Sequence, residues 1–168
     1  MAKVAVLVTN LFEDIELTDP VGALKDAGHT VTFIEKDADN IVSGKHGTEV
    51  TIDAGIHHVS PKDFDALLLP GGFSPDQLRA DERFVDFVRY FLLADKPVFA
   101  ICHGPQLFIQ TGLAKGRKMT AYKSVQSDLY YAGAIVKDAS AVVDRQLVTS
   151  RNPNDIPDFN AAMLKVLG

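Results

Sequence analysis

Short apolar runs recur along the chain, and turn-forming residues close each of them. Residues 4–8 and 66–69 are apolar at every position, which is typical of strands buried on both faces of a parallel sheet. Residues 30–34 and 97–101 are also predicted to be strands. Residues 141–143 and 146–149 flank a turn at residues 144–145 and predict a hairpin, and residues 44–52 predict a smaller hairpin or excursion.

Apolar residues recur at helical spacing between these runs. Leu17, Val21 and Leu24 predict a helix that Gly28 ends. Pro20 must either open this helix or kink it. Further helices are predicted over residues 81–93, 104–111, 124–132 and 157–167. Because strands and helices alternate, we expect one α/β domain over residues 1–168, with a mostly parallel sheet covered by helices on both faces.

Composition narrows the function classes. Of the 168 residues, 46% are hydrophobic and 23% charged, which is typical of a globular protein, and the net charge is -5. The sequence offers no basic surface for nucleic acid and no apolar run that could span a membrane. A lone cysteine excludes an internal disulfide and a multi-cysteine zinc site. The lone thiol, the acidic pI of about 5.4 and the lack of an export signal together predict a cytoplasmic protein. We also expect no metal and no cofactor.

The ends of the predicted strands carry the candidate chemistry, because open parallel sheets place their sites at the carboxyl ends of their strands. Cys102 directly follows the strand at residues 97–101. A nucleophile at such a strand-to-helix turn is exposed on a strained backbone. The N-terminus of the following helix would favour a thiolate, so we expect a depressed pKa for Cys102. The alternative is a buried structural cysteine.

Three neighbours could assist the cysteine. His103 has the chemistry of a general base or a polarising group, although adjacent side chains usually diverge. Gly71 and Gly72 follow another strand, and their side-chain-free turn could aim backbone N–H groups at an oxyanion. The pair at His57 and His58 is weak evidence for a metal site.

The first predicted helix begins with acids, and two of them are candidates for the cleft. Glu13 lies four residues before Leu17, on the apolar stripe if the helix starts early, and Glu16 lies at the edge of that stripe. Either could equally be a solvated acid favoured by the helix dipole. Periodicity does not choose between them.

Four segments in order resemble the PfpI family of intracellular protease-like proteins, which belongs to the superfamily of the deglycase linked to inherited parkinsonism. The resemblance covers essentially the whole chain, and residues 71–76 look most like the bacterial general-stress branch. The segments are FEDIEL at 12–17, GKHG at 44–47, DALLLPGG at 65–72 and AICHGPQ at 100–106.

The resemblance implies a flavodoxin-like three-layer sandwich with Cys102 at the nucleophile elbow and His103 beside it. It also implies that Glu16, rather than Glu13, contacts the thiol, and that Tyr122 lines the site. In protease-like members an adjacent subunit lends a third catalytic acid. That position is Asp76 here, where those members carry glutamate. The resemblance therefore implies a homodimer or larger oligomer with its cleft near a subunit boundary.

The family implies three related activities: peptide hydrolysis, conversion of methylglyoxal, and removal of early glycation adducts from proteins. The substrate would be a small carbonyl compound, or a glycated protein or peptide. Related glutamine amidotransferases need a histidine late in the chain. The sequence has none after His103, which argues against glutamine hydrolysis. A redox-responsive stress protein that uses reversible oxidation of Cys102 without turnover is the alternative.

Overall fold

A computed structural model describes residues Met1–Gly168. Its strands are β1 (Lys3–Leu7), β2 (Thr30–Glu35), β3 (Ile41–Ser43), β4 (Glu49–Thr51), β5 (Ala54–Gly55), β6 (Ala66–Leu69), β7 (Val98–Ile101), β8 (Lys118–Met119), β9 (Ile135–Val136), β10 (Val142–Asp144) and β11 (Leu147–Ser150). Its helices are α1 (Asp14–Asp26), α2 (Ser74–Leu78), α3 (Glu82–Leu93), α4 (Gln106–Ile109), α5 (Lys123–Tyr131) and α6 (Ile156–Leu167).

Seven strands form the central sheet in the order β10-β11-β7-β6-β1-β2-β5. All neighbours pair in parallel except β10 and β11, which form an antiparallel hairpin at one edge. A hairpin is present near residues 44–52 as the separate antiparallel pair of β3 and β4, but its first strand lies before the predicted range. The mostly parallel flavodoxin-like sandwich is therefore confirmed.

Alternate residues of the buried strands face two separate apolar cores. In β6, Leu67 and Leu69 join one core, while Ala66 and Leu68 join the other. Helices α3, α4 and α5 supply side chains to the first core, and α1 and α6 supply the second. Each core is continuous across the sheet, so the ends of the central strands are held in fixed register.

One helix differs from the sequence prediction, and another resolves an alternative that the sequence left open. The helix expected over residues 104–111 is a regular α-helix only in α4. In the turn before it, hydrogen bonds join residues three positions apart, such as Gly104 N–H to the Ile101 carbonyl at 2.9 Å. Pro20 does not open α1 but lies inside it and is buried, so a kink is the alternative that remains. A proline there removes the helical hydrogen bond to the carbonyl of Glu16.

The shortest elements had no sequence signal. Strands β5, β8 and β9 are two residues long, too short for a two-residue alternation to be recognised. None of the six helices combines the length and apolarity that crossing a membrane requires.

Candidate active site

Cys102 lies at the turn that follows β7, in the left-handed backbone region with φ of 64°. Its N–H donates to the carbonyl of Ser150 at 3.0 Å, and its carbonyl accepts from the N–H of Tyr122 at 2.8 Å. These bonds hold a conformation that non-glycine residues rarely adopt. The elbow is therefore present, but its side chain is only 7% exposed and forms the floor of a cleft, where an exposed one was expected.

The backbone N–H groups of Gly72 and His103 lie near enough to the Cys102 sulfur to lower the pKa of the thiol. Gly72 reaches this position with φ of 78°, and a Cβ there would lie 2.4 Å from the backbone nitrogen of Glu13. Only glycine fits such a position. The Gly72 amide therefore lies beside the nucleophile, and its part in an oxyanion site stays a prediction.

Glu16 is fully buried beside the thiol, whereas Glu13 lies further out in the cleft. The N–H of Gly71 donates to Glu16 Oε1 at 3.1 Å. The carboxyl is close enough to Cys102 to act as its hydrogen-bond partner, although Oε2 has no partner of good geometry. Burial, with the Glu13 charge adding to it, raises the pKa of Glu16 to about 8 against the pull of its hydrogen bonds. At neutral pH the carboxyl is therefore mostly protonated.

The N–H of Gly71 holds Glu16 and is not free for the expected oxyanion role, which stays a prediction. A side chain at this position would also strike its neighbours. A Cβ on Gly71 would lie 2.4 Å from Glu16 Oε1 and 2.8 Å from Cys102 Cβ. Gly71 therefore sets the spacing between the acid and the cysteine.

The structure also contradicts the expected depression of the Cys102 pKa. Burial raises the pKa of this thiol, and the Glu16 charge and hydrogen bond raise it further. The amides of Gly72 and His103 lower it only in part. The four residues of α4 align too few peptide dipoles to offset burial.

His103 lies against the nucleophile, with Nδ1 3.3 Å from the Cys102 sulfur. Its ring stacks on Tyr122 with centroids 4.8 Å apart and an interplanar angle of 25°. Burial and the positive charge of Lys45 lower the pKa of His103, while Asp76 opposes them. The imidazole is therefore neutral at pH 7 and able to accept a proton.

Asp76 extends from α2 and lines the same cleft as Cys102 of its own chain. Its side chain is exposed, and its negative charge reaches His103 without a hydrogen bond between them. Whether a second subunit uses Asp76 stays a prediction.

Sequence reasoning gave no role to Lys45, the one lysine or arginine that lines the cleft. Its ammonium pairs with Glu13 at 3.1 Å, and its charge reaches both Cys102 and Glu16. Asp14 fixes the loop that carries it by accepting from the N–H groups of His46 and Thr48, each at 2.9 Å. The signal was the GKHG segment, whose importance the pattern alone did not show.

The cleft is open to solvent and has a volume of about 690 Å³. It brings together Cys102, His103, Glu16, Asp76, Gly72 and Tyr122, and Gly71 lies directly behind it. Its lining is completed by Leu11, Glu13, Lys45, Phe73, Gln106 and Pro153. The chain has no group of three or more histidine, cysteine or acidic side chains placed to hold a metal ion.

Residues 2–166 match the family described as DJ-1/PfpI. General stress protein 18 of Bacillus subtilis (strain 168) is 57% identical over 98% of this chain and 97% of its own length. A protein of the same strain named "Putative cysteine protease YraA" is 54% identical over 98% of each chain. Protein/nucleic acid deglycase 2 of Escherichia coli (strain K12) is 55% identical over 99% of this chain and 98% of its own.

A solved structure from Anabaena variabilis, a two-domain protein with DJ-1/ThiJ/PfpI-like and ferritin-like domains, superposes with a TM-score of 0.97 at 36% identity. The match covers 100% of this chain and 48% of that one, so this chain spans about half of that longer protein.

Proposed function

Because the chain belongs to the DJ-1/PfpI family, we propose that it is a cysteine-dependent enzyme that converts reactive carbonyl compounds and early glycation adducts, with Cys102 as its nucleophile. One observation carries the proposal: a thiol at the floor of an open cleft, 3.3 Å from a neutral imidazole and beside a protonated buried carboxyl. A relative named for deglycation, 55% identical, supports the same chemistry.

The reaction can be written with the side chains of the cleft. Neutral His103 accepts the thiol proton while the Cys102 sulfur adds to the aldehyde carbon of an α-oxoaldehyde, so the raised pKa of the thiol does not require a free thiolate beforehand. The proton then passes to the former aldehyde oxygen, which gives a hemithioacetal. The hydrogen on that carbon moves as a proton to the neighbouring carbonyl carbon, which leaves a thioester. Water then hydrolyses the thioester. Methylglyoxal and water thus give lactate, with no oxidant or reductant consumed.

A glycation adduct enters the same sequence after its C–N bond breaks. The hydroxyl proton of the hemiaminal passes to the nitrogen, the amine leaves, and the freed aldehyde carbon accepts the Cys102 sulfur. The hemiaminal of methylglyoxal with an amine, taken with one water, gives the free amine and lactate. Glu16 in its protonated form can donate to the sulfur or to an oxygen developing beside it. The cytoplasm, which keeps a single thiol reduced, suits this chemistry.

Peptide hydrolysis ranks below carbonyl chemistry. An amide carbon is a weaker electrophile than an aldehyde carbon, and its amine is the harder one to expel while the lowered pKa of His103 keeps the imidazole neutral at pH 7. Asp76 makes no hydrogen bond that would correct this. The relative named as a cysteine protease keeps this activity as a second candidate.

The test is the rate of lactate formation from methylglyoxal by purified protein and by the Cys102→Ser variant. We expect turnover by the wild type and a loss of at least about 100-fold in the variant. Release of free amine from a methylglyoxal-treated peptide should fall in parallel. Equal rates in the two proteins would overturn the proposal, and cleavage of an unmodified peptide would favour the protease.

The redox alternative draws on one specific observation. A protonated Glu16 beside the sulfur could hydrogen-bond a sulfinate and stabilise it. Stoichiometric oxidation of Cys102 by dilute peroxide, seen as an added mass of two oxygens, together with no carbonyl turnover, would favour this function.

We also propose that the protein works as a dimer or a larger oligomer with the cleft near the boundary. Leu11 and Phe73 line the cleft and leave 48% and 52% of their surfaces exposed, an apolar lip beside Asp76. A second subunit that covered this lip would remove apolar surface from water, which favours association.

A further inference from the structure

A network of hydrogen-bonded side chains joins the start of α5 to the segment that follows β11. Gln126 Nε2 donates to Asp138 Oδ1 and to the carbonyl of Ala121, each at 3.1 Å. Asp138 Oδ1 also accepts from Arg151 Nη1 at 3.1 Å. Asp138 therefore connects two segments that are distant in the sequence.

At one end of this network, the guanidinium of Arg151 is already fixed in orientation. Its Nε and Nη2 donate to the two carboxylate oxygens of Asp155 at 2.9 and 3.1 Å, and its backbone N–H donates to the same carboxylate at 2.9 Å. Asp155 is buried, and such a two-point pair sets the plane of the guanidinium. Arg151 Nη1 therefore meets Asp138 from a rigid support.

At the other end, the network holds the residue that stacks on the cleft histidine. Tyr122 is the N-cap of α5, but its side chain makes no capping hydrogen bond. Gln126 instead reaches back from the first turn to the carbonyl of Ala121. Tyr122 N–H donates to the carbonyl of Cys102 at 2.8 Å, and its ring stacks on His103 with centroids 4.8 Å apart. A shift of this backbone would therefore move the imidazole relative to the sulfur.

We propose that Asp138 is a positioning residue that holds the imidazole of His103 in place through the Tyr122 ring. Arg151 takes part by fixing Asp138. The effect is positional, because neither residue is among the charged groups that shift the pKa of His103. A role in stability alone does not account for the network, because the Asp138 side chain is 70% exposed and exposed ion pairs contribute little. The kinetic part of the inference rests on the function proposed above, in which His103 accepts the thiol proton.

The direct test is the NMR chemical shift of His103 Hε1, which the ring current of a stacked tyrosine displaces. It is measured at about pH 8, where the imidazole is neutral. Tyr122→Leu gives the unstacked value, and His103→Asn assigns the resonance. We expect Asp138→Ala to move the resonance at least about one third of the way from the wild-type to the unstacked value.

Three further variants separate positioning from a general effect of substitution. Asp138→Asn keeps an oxygen that can accept both hydrogen bonds, so it should restore most of the wild-type shift. Gln126→Met loses both donated bonds, and adding Asp138→Ala to it should have no further effect, since the two act through one contact. Asp128→Ala is the matched control, because it removes an exposed acid of α5 whose side chain makes no hydrogen bond. It should leave the resonance in place.

The kinetic arm uses methylglyoxal turnover. We expect Asp138→Ala to lower kcat about three- to tenfold and to change KM less than about twofold, because a displaced proton acceptor affects the chemical step more than binding. An unmoved His103 resonance in Asp138→Ala would overturn the inference, and so would a moved resonance with a normal kcat. A moved resonance together with no turnover by the wild type would leave the positioning role in place and refute the proposed function alone.

Discussion

Glu16 and Cys102, at the floor of the cleft, each affect the pKa of the other. Burial favours the neutral form of both Glu16 and Cys102, and each group sits within the field of the other. Their titration therefore belongs to the pair, and a rate that depends on the thiolate will report both groups.

Replacing Glu16 with glutamine should shift the pH at which Cys102 becomes reactive to a lower value. The substitution removes the carboxylate charge that raises the thiol pKa, while the shape of the side chain is kept. The rate of modification by methyl methanethiosulfonate against pH measures the midpoint. Glu13→Gln, which removes a charge paired with Lys45, should move it less. An unchanged midpoint in Glu16→Gln would show that the acid does not control the thiol.

The same variant should change how stability depends on pH. The pKa of Glu16 is about 8 in the folded protein and near 4.5 when the side chain is free. Its stabilising contribution is therefore complete below pH 4.5 and is lost as the pH rises through 8. Glu16→Gln cannot ionise, so its Tm relative to wild type should rise between pH 5 and pH 9. A Tm difference that is flat with pH would contradict this.

At the scale of elements, two turns and the start of one helix set the site. The Gly71–Gly72 turn after β6 meets the elbow after β7, and α1 begins with the acids that meet both. The two apolar cores hold these elements in place. Neighbouring atoms therefore cannot move far to accommodate a larger side chain in one of the turns.

Gly71→Ala should therefore be costly. The new Cβ meets Glu16 Oε1 and Cys102 Cβ closer than side chains tolerate, which we expect to destabilise the protein by about 1–3 kcal/mol and to lower carbonyl turnover at least tenfold. Gly22→Ala is the matched control, because a Cβ there meets nothing within 4 Å inside α1. It should stabilise the fold by about 0.5–1 kcal/mol. Urea titration measures both, and similar effects for the two glycines would refute the spacing role.

Asp14 joins the start of α1 to the loop that carries Lys45. Burial opposes its charge, but hydrogen bonds from Thr48 and His46 lower its pKa to about 2, from 3.8. The stability it contributes is present above pH 3.8 and is lost as the pH falls through 2. Asp14→Asn should lower Tm at pH 7, and the loss should shrink towards pH 2. Asp19→Asn, an exposed acid on the same helix, should have little effect. Equal losses at pH 7 and pH 2 would contradict the assignment.

At the scale of the whole molecule, the question is how the cleft meets a second copy of the chain. Asp76 is exposed at the cleft, and apolar surface of Leu11 and Phe73 lies near it. We expect at least a dimer by sedimentation at working concentration. We also expect Asp76→Ala to lower turnover while leaving Cys102 modification nearly intact, because it acts through His103. Asp26→Ala, on the exposed side of α1, is the control. A monomer would refute the arrangement.

The fold followed from the sequence because the buried strands are apolar without interruption and helical spacing separates them. The positions of Cys102 and His103 followed from the end of one such strand. Glu16 could not be chosen over Glu13 by periodicity, since both lie near the same stripe, and only the resemblance favoured it. The rise in the Cys102 pKa could not be predicted, because burial depends on the packing of distant segments around the elbow.

The left-handed backbone conformation at Cys102 places the nucleophile at the turn but destabilises the folded protein. Holding a side chain at φ of 64° costs about 1–2 kcal/mol, which glycine would not incur. Substitution of Cys102 by glycine would therefore relieve this backbone strain, but it would remove the only thiol in the chain. A library selected for heat resistance alone should accumulate substitutions at this position, and one selected for survival under carbonyl stress should retain cysteine there.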